Sequence, residues 1–232
     1  MLFAVIPCYN SSSTLPKLLE ELSAQVPPEC TICVNDGSDD ETGALLQRSG
    51  VRTIRHARNM GKGESLRSGY QMAISLSASH VLTLDSDLQH NPSEIPKFIE
   101  ASRSYDIVIG SRRKAFSSLS STMPFHRRLS NGITSATMSY LCGQPILDAQ
   151  CGYRLISNAC LKAVLPLCKE RRFMFETEFL LYASQHGFRV GFVEIEAIYG
   201  TGRSHMRHVA ETLNFIKLVT QHALRKGPDL GL

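Results

Sequence analysis

Short, unbroken apolar runs alternate with helix-patterned segments through the first 112 residues, and this alternation constrains the fold more than any other feature of the chain. LFAVIP (2–7), TICVND (31–36), VRTIRH (51–56), HVLTLD (80–85) and YDIVIGSR (105–112) read as strands. Between them, Leu15, Leu18, Leu19 and Leu22 recur at helical spacing. SDDETGALLQRSG reads as a helix with acidic residues in its first turn, where the helix dipole favours them. GKGESLRSGYQMAISLS reads as a longer helix, and PSEIPKFIEAS as a short one with proline near its start. Strands that are continuous Val/Ile/Leu runs are buried on both faces, so the pattern predicts an α/β fold: a mostly parallel central sheet flanked by helices.

After residue 113 the rhythm changes. FHRRLSNGITSATMSYLCG looks helical, LDAQCGYRLIS reads as loop and short strand, and MFETEFLLYASQHG as a helix with Phe175, Phe179, Leu180 and Ala183 on one side. FRVGFVEIEAIY (188–199) reads as a strand. A closing helix would put Val209, Leu213, Ile216, Val219 and Ala223 on one face, and residues 227–232 read as a frayed tail. The 232 residues suffice for one catalytic domain over 1–226, with a first half to residue 112 and a second from 113.

A net charge of +4 is compatible with anionic substrates or a membrane surface and too weak to argue for nucleic acid. Seven scattered cysteines read as reduced thiols, which suits a cytoplasmic setting, and Cys33 of the Cys30–Cys33 pair sits in a strand, so it reads as core rather than as a zinc ligand. No apolar run is long enough to span a bilayer. The expectation is a soluble or at most peripheral protein.

Ligands of parallel sheets bind outside the carboxyl ends of the strands. Pro7-Cys8-Tyr9-Asn10, Asp36, Asp85 and Gly110-Ser111-Arg112 all fall there. Asp85 and Asp87, at i and i+2 on an extended chain, would project to one side roughly 7 Å apart. Two such carboxylates repel unless a cation lies between them, and oxygen ligands without a thiolate or imidazole cluster suit Mg²⁺ or Mn²⁺ shared with substrate phosphates. The alternative is a solvated Asp pair in a turn. His90 is a candidate ligand, but reads better as a loop-surface residue or as one acting behind the ligands. An Asp-Gly-Ser turn at Asp36 can hold a base or ribose, or simply begin a helix. NMGKGES (59–65) fails the phosphate-loop pattern because Gly63 follows Lys62. A nucleotidyltransferase would need a Gly-rich basic loop where this chain has PCYNSSST.

IPCYN (6–10), NDGSDD (35–40), NMGKGESLRSG (59–69), DSDLQHNP (85–92), GSR (110–112), DAQCGYRLIS (148–157) and FETEFLL (175–181) occur in the order and spacing of family 2 glycosyltransferases, and the set resembles most the dolichyl-phosphate mannose synthase-like, polyprenyl-phosphate group. The resemblance implies a GT-A fold, a nucleotide-diphospho-sugar donor, a divalent metal and inversion at the anomeric carbon. It places Pro7, Tyr9, Asn10, Asp36, Gly63, Asp85 and Ser86 on the donor, and Asp85, Asp87 and Gln89 on the metal. Arg112, Arg127, Arg128, Ser130, Arg154, Arg203 and His205 fall on the acceptor side. Ser11 stands where the family usually has Glu, and His205 where many relatives carry Lys.

The expected reaction is metal-dependent transfer to a polyprenyl phosphate at the cytoplasmic face of a membrane, with Asp87, Arg112 and Asp148 in catalytic roles. A lipid phosphate is already an anion and needs no general base. Transfer to a sugar hydroxyl of a glycan or glycolipid would need one, and Asp148, Glu176 and Glu178 are the candidates, each against a structural role paired with an arginine such as Arg154. Basic residues in SRRKAFSSLSSTMPFHRR (111–128) read either as a solvated loop or as a lid over a phosphorylated acceptor. A sugar-nucleotide-binding protein without turnover is the rival from another class. The sequence leaves donor base, oligomeric state and any membrane-protein partner open.

Overall fold

A computed structural model describes residues 1–112, 125–196, 198 and 214–220, with side chains omitted over 125–130. Its elements are β1 (Leu2–Cys8), α1 (Leu15–Ser23), β2 (Thr31–Asn35), α2 (Thr42–Arg48), β3 (Arg52–Arg55), α3 (Lys62–Ser75), β4 (His80–Thr83), α4 (Ile95–Ala101), β5 (Ile107–Ser111), α5 (Phe125–Cys142), β6 (Arg154–Ser157), α6 (Asn158–Val164), α7 (Phe175–Gln185) and β7 (Val190–Glu194). Residues 214–220 are helical.

The seven strands form one sheet in the order β3-β2-β1-β4-β6-β5-β7. The pairs β3/β2, β2/β1, β1/β4 and β5/β7 are parallel, and β6 runs antiparallel to both β4 and β5. β2 and β5 are buried along their whole length, as continuous apolar runs covered on both faces must be. α1 turns Leu15, Leu18 and Leu22 inward, and α7 turns Phe175, Phe179, Leu180 and Ala183 inward. One apolar cluster runs from Phe3 to Leu218, so β1–β4 and β5–β7 share a core. All seven cysteines are free thiols, six of them buried, Cys30 and Cys33 included.

Three local expectations need correction. The acidic residues 39–41 precede α2 instead of occupying its first turn, and Asp40 Oδ1 accepts the Thr42 N–H. β4 ends at Thr83, so Asp85 and Asp87 sit in a turn and not on an extended strand; Leu88 closes that turn at φ +63°. In the last helix Leu218 is the buried residue and Ile216 is 53% exposed, because the inward stripe runs through Phe215, Leu218 and Val219.

β1 pairs with β2 on one side and β4 on the other, so the strand order reverses there. A crevice opens outside the carboxyl ends of strands at such a switch point. The loops after β1, β2 and β4 meet in it.

Candidate active site

The loop after β2 is built around Asp36, which is 3% exposed. Its Oδ1 accepts from Met60 N–H (2.9 Å) and lies 2.7 Å from His56 Nδ1; its Oδ2 accepts from Gly61 N–H (2.8 Å). His56 Nε2 reaches Ser68 Oγ at 3.0 Å. Asp36 thus fixes the segment that leads into α3. Gly61 takes φ +102°, and a Cβ there would lie 2.7 Å from the Arg171 carbonyl, so glycine is needed both for the turn and for the fit. Lys62 follows at the first position of α3.

Lys62 Nζ lies 2.7 Å from Asp85 Oδ1 and 3.0 Å from Glu176 Oε2. Burial alone would lower the Lys62 pKa; Asp85 and Glu176 outweigh it and hold the ammonium above its ordinary range. Burial likewise works to raise Asp85, but the Lys62 ammonium brings it below the usual carboxylate range. Gly152 makes room for this pair: a Cβ there would stand 2.7 Å from Asp85 Oδ2 and 2.8 Å from Lys62 Nζ. Glu176 begins α7, and its other oxygen is 3.7 Å from Arg154 Nε.

Asp87 is exposed, and its carboxyl is pushed up by partial removal from water and by the Asp85 charge. Its Oδ1 accepts the Gln89 N–H at 3.1 Å. His90 is buried, not on the loop surface. Its Nδ1 accepts the Asp85 N–H (3.1 Å), its ring stacks on Tyr153 at 5.0 Å, and burial brings its pKa down to about 4. It is therefore neutral and orients the Asp85 backbone.

The loop after β1 is tied to its neighbours by side chains. Asn10, in the left-handed region at φ 51°, receives the Asp39 N–H on Oδ1 and donates its own N–H to Ser38 Oγ. Pro7 and Tyr9 are half-buried on the same edge. Ser11 is buried, with its Oγ 2.7 Å from Ser86 Oγ.

On the other side of the crevice, Arg112 and Asp148 form a bidentate pair, Nε to Oδ2 at 2.9 Å and Nη2 to Oδ1 at 3.0 Å. Asp148 is fully buried and also accepts from Asn131 Nδ2 and the Gln150 N–H. With both oxygens occupied, it does not fit the general base considered for a hydroxyl acceptor. Arg154 does not fit acceptor binding, because it is 3% exposed and its guanidinium is spent on the carbonyls of Ala149, Cys151 and Glu176. Gly63 does not fit a donor contact: it is buried, and a Cβ would meet Arg171 and Arg172 backbone at 2.7 Å. Glu178 accepts two amides, from Lys169 and Glu170, which is a structural role. The side chains of Arg127, Arg128 and Ser130, and all of Arg203 and His205, lie outside the described residues, as do residues 113–124.

Asp85 and Asp87 offer hard oxygen donors of the kind that Mg²⁺ and Mn²⁺ take. Among the described residues no cluster of three His, Cys, Asp or Glu side chains stands ready for a metal. An ion here would complete its shell with phosphate and water oxygens, as Mg²⁺ commonly does.

A family model described as "Glycosyl transferase family 2" matches residues 3–165. The chain belongs to this family. As a family 2 glycosyltransferase it is 27% identical to a UDP-N-acetylglucosamine–dolichyl-phosphate N-acetylglucosaminyltransferase of Methanococcus voltae, over 86% of each chain. It is 26% identical to an undecaprenyl-phosphate mannosyltransferase of Micrococcus luteus, over 80% of this chain and 79% of the relative. Against an undecaprenyl-phosphate 4-deoxy-4-formamido-L-arabinose transferase of Pectobacterium atrosepticum it is 32% identical over 72% of its length, but spans only 51% of that protein. Among solved structures, glucosyl-3-phosphoglycerate synthase of Mycobacterium tuberculosis with UDP superposes with a TM-score of 0.73 at 18% identity, covering 100% of this chain and 82% of the other. The same enzyme with Mn²⁺, UDP-glucose and glycerol 3-phosphate gives 0.69, also at 18%, over 100% and 82%. The fold of this glycosyltransferase is accordingly GT-A.

Lys62, Gly152 and the partnership of His90 with Asp85 are the site features that sequence reasoning missed. Lys62 was visible only as a failed phosphate loop. Its distance in sequence from Asp85 hides a contact that exists because α3 starts beside the end of β4.

Proposed function

We propose that this glycosyltransferase uses a divalent cation to move a sugar, with inversion, from a nucleoside diphosphate to a polyprenyl phosphate. The observation that carries this reading is the aspartate pair after β4: Asp85 is held by Lys62 while Asp87 stands exposed beside it. Asp85 and Asp87, with Gln89 next to them, would hold Mg²⁺ or Mn²⁺. When bound, the ion supplies Lewis-acid neutralisation of the departing diphosphate.

The chain's own residues divide the rest of the task. Pro7, Tyr9, Asn10 and Ser86 line the donor edge, and Asp36 acts beneath it by fixing the Met60 and Gly61 amides. Lys62 adds a permanent positive charge on the diphosphate side. Arg112, aimed by Asp148, meets the acceptor phosphate, and Arg127, Arg128, Ser130, Arg203 and His205 are assigned to the same side on family resemblance. Positioning and preorganised charge supply most of the rate in such a site.

The engagement of Asp148 favours a phosphate acceptor over a sugar hydroxyl. A hydroxyl nucleophile needs a base, whereas a lipid phosphate arrives ionised. The named activities of the Methanococcus and Micrococcus relatives point the same way. No helix among the described residues is long and apolar enough to cross a membrane. The reading places this work on a lipid acceptor at the cytoplasmic face of a membrane.

The test is to incubate the protein with Mn²⁺, undecaprenyl or dolichyl phosphate, and UDP- or GDP-sugars in turn. A glycosylated lipid phosphate detected by mass spectrometry, and lost in EDTA, is the expected result. Transfer only to glycan hydroxyls, or transfer indifferent to EDTA, would overturn the reading.

A further inference from the structure

The turn that carries the two aspartates is held from outside by hydroxyls of the loop after β1. Ser86, between Asp85 and Asp87, has its Oγ 2.7 Å from Ser11 Oγ. Ser11 Oγ is also 3.3 Å from the Tyr9 carbonyl, to which it can only donate. One arrangement satisfies both contacts: Ser86 donates to Ser11, and Ser11 donates on to Tyr9. Thr14 Oγ1 adds a bond to the Ser86 carbonyl, so both ends of Ser86 are held by the β1 loop. The Ser11 N–H donates to Thr42 Oγ1 (2.8 Å) and the Ser12 N–H to Asp40 Oδ2 (3.0 Å), which ties the same loop to the start of α2.

We infer that Ser11 is a positioning residue that couples the nucleoside side of the crevice to the metal-binding aspartates. The inference rests on the metal–diphosphate reading above and extends it to a residue that does not touch the ion. Ser11 is 6% exposed, so its hydroxyl addresses the protein and not the solvent. Within the turn itself His90 accepts the Asp85 N–H and Asp87 Oδ1 accepts the Gln89 N–H, while Lys62 of α3 holds the Asp85 carboxylate. Ser11 and Thr14 supply the connection to a different loop. Removing the Ser11 hydroxyl leaves Asp85 and Asp87 in place chemically but frees the residue between them. The expected consequence is weaker binding of a ligand that needs both carboxylates at once, with little change for a ligand that needs only the nucleoside pocket.

Four proteins test this: wild type, Ser11→Ala, Ser86→Ala and the double variant. Titrations use Mn²⁺ with UDP, Mn²⁺ with GDP, and uridine or guanosine without metal. We expect each single variant to lower apparent Mn²⁺ affinity in the nucleotide complex by about 5- to 10-fold, the scale of one lost hydrogen bond. The double variant should lose no more than either single one, and nucleoside binding by Ser11→Ala should stay within about 2-fold. Hydrogen exchange over residues 84–90 should rise in the single variants while β3 exchanges as before. Additive losses, or a nucleoside defect equal to the metal defect, would mean that Ser11 supports the fold only. If the wild type shows no Mn²⁺-dependent nucleotide binding, the metal reading fails; hydrogen exchange then still decides the clamp, and unchanged exchange over 84–90 in Ser11→Ala overturns it.

Discussion

Lys62 Nζ sits between Asp85 and Glu176, 2.7 Å from one carboxylate and 3.0 Å from the other. The three side chains come from the start of α3, the end of β4 and the start of α7, so the contact joins segments more than a hundred residues apart in sequence. Without the ammonium, two partly buried carboxylates would be left beside each other with no cation between them. A single positive charge therefore allows Asp85 to remain ionised before any ligand arrives.

Lys62→Ala should accordingly destabilise the protein by about 2–4 kcal/mol, a buried pair broken by loss of one partner and moderated by partial exposure. Adding Glu176→Gln should restore part of that loss, since it removes one of the stranded charges. Urea denaturation of the single and double variants measures both. A double variant no more stable than Lys62→Ala would show that repulsion between Asp85 and Glu176 is not the cause.

Asp87 behaves differently. A carboxyl pKa raised by folding means that the ionised form is disfavoured in the folded state, so above the shifted pKa the charge works against stability. Asp87→Asn should leave the melting temperature in EDTA unchanged or slightly raised at pH 7, and the difference should vanish below the unfolded carboxyl pKa of about 4. Turnover should fall by at least about 100-fold, the scale of a lost group in transition-state charge stabilisation. A variant that melts several degrees lower would place Asp87 in the scaffold.

The sheet was legible because buried strands and amphipathic helices leave local patterns, and the rule that ligands gather at strand carboxyl ends brought Asp36, Asp85 and Arg112 to one edge correctly. The short strand in LDAQCGYRLIS was read, but its antiparallel place between β4 and β5 was not, since four residues carry no local signal of direction. The roles of Asp148 and Arg154 stayed open for a related reason. Sequence order shows that acids and arginines cluster in DAQCGYR but not which are buried, and Asp148 turned out to pair with Arg112, 36 positions away, while Arg154 faces backbone carbonyls. Lys62 was visible as a residue but not as a partner, because its contacts depend on how α3 meets β4 and α7.

Gly152 tests whether space at this pair matters to function more than to folding. In Gly152→Ala the new methyl would press on Asp85 Oδ2 and Lys62 Nζ, both far ends of side chains that can shift by a few tenths of an ångström. The shift should cost about 1–2 kcal/mol of stability. Because it moves a proposed metal ligand directly, Mn²⁺-dependent UDP or GDP binding should weaken at least about 10-fold in calorimetry. Normal binding with normal melting would mean that the aspartate need not hold its present position.

Asp148 separates a base from a positioning residue. Asp148→Asn keeps the shape and the Asn131 and Gln150 neighbourhood but removes the charge opposite Arg112. If Asp148 only aims Arg112, the variant should lose about 3 kcal/mol of stability, as expected for one half of a buried ion pair. It should also raise KM for the phosphate acceptor more than it lowers kcat, and leave the shape of the pH–rate profile intact. A base would show the opposite: kcat falling by about 100- to 10,000-fold at unchanged KM, with the rise of activity at low pH abolished. The pH–rate profile of Asp148→Asn in parallel with wild type, measured on a lipid phosphate acceptor, distinguishes these outcomes directly.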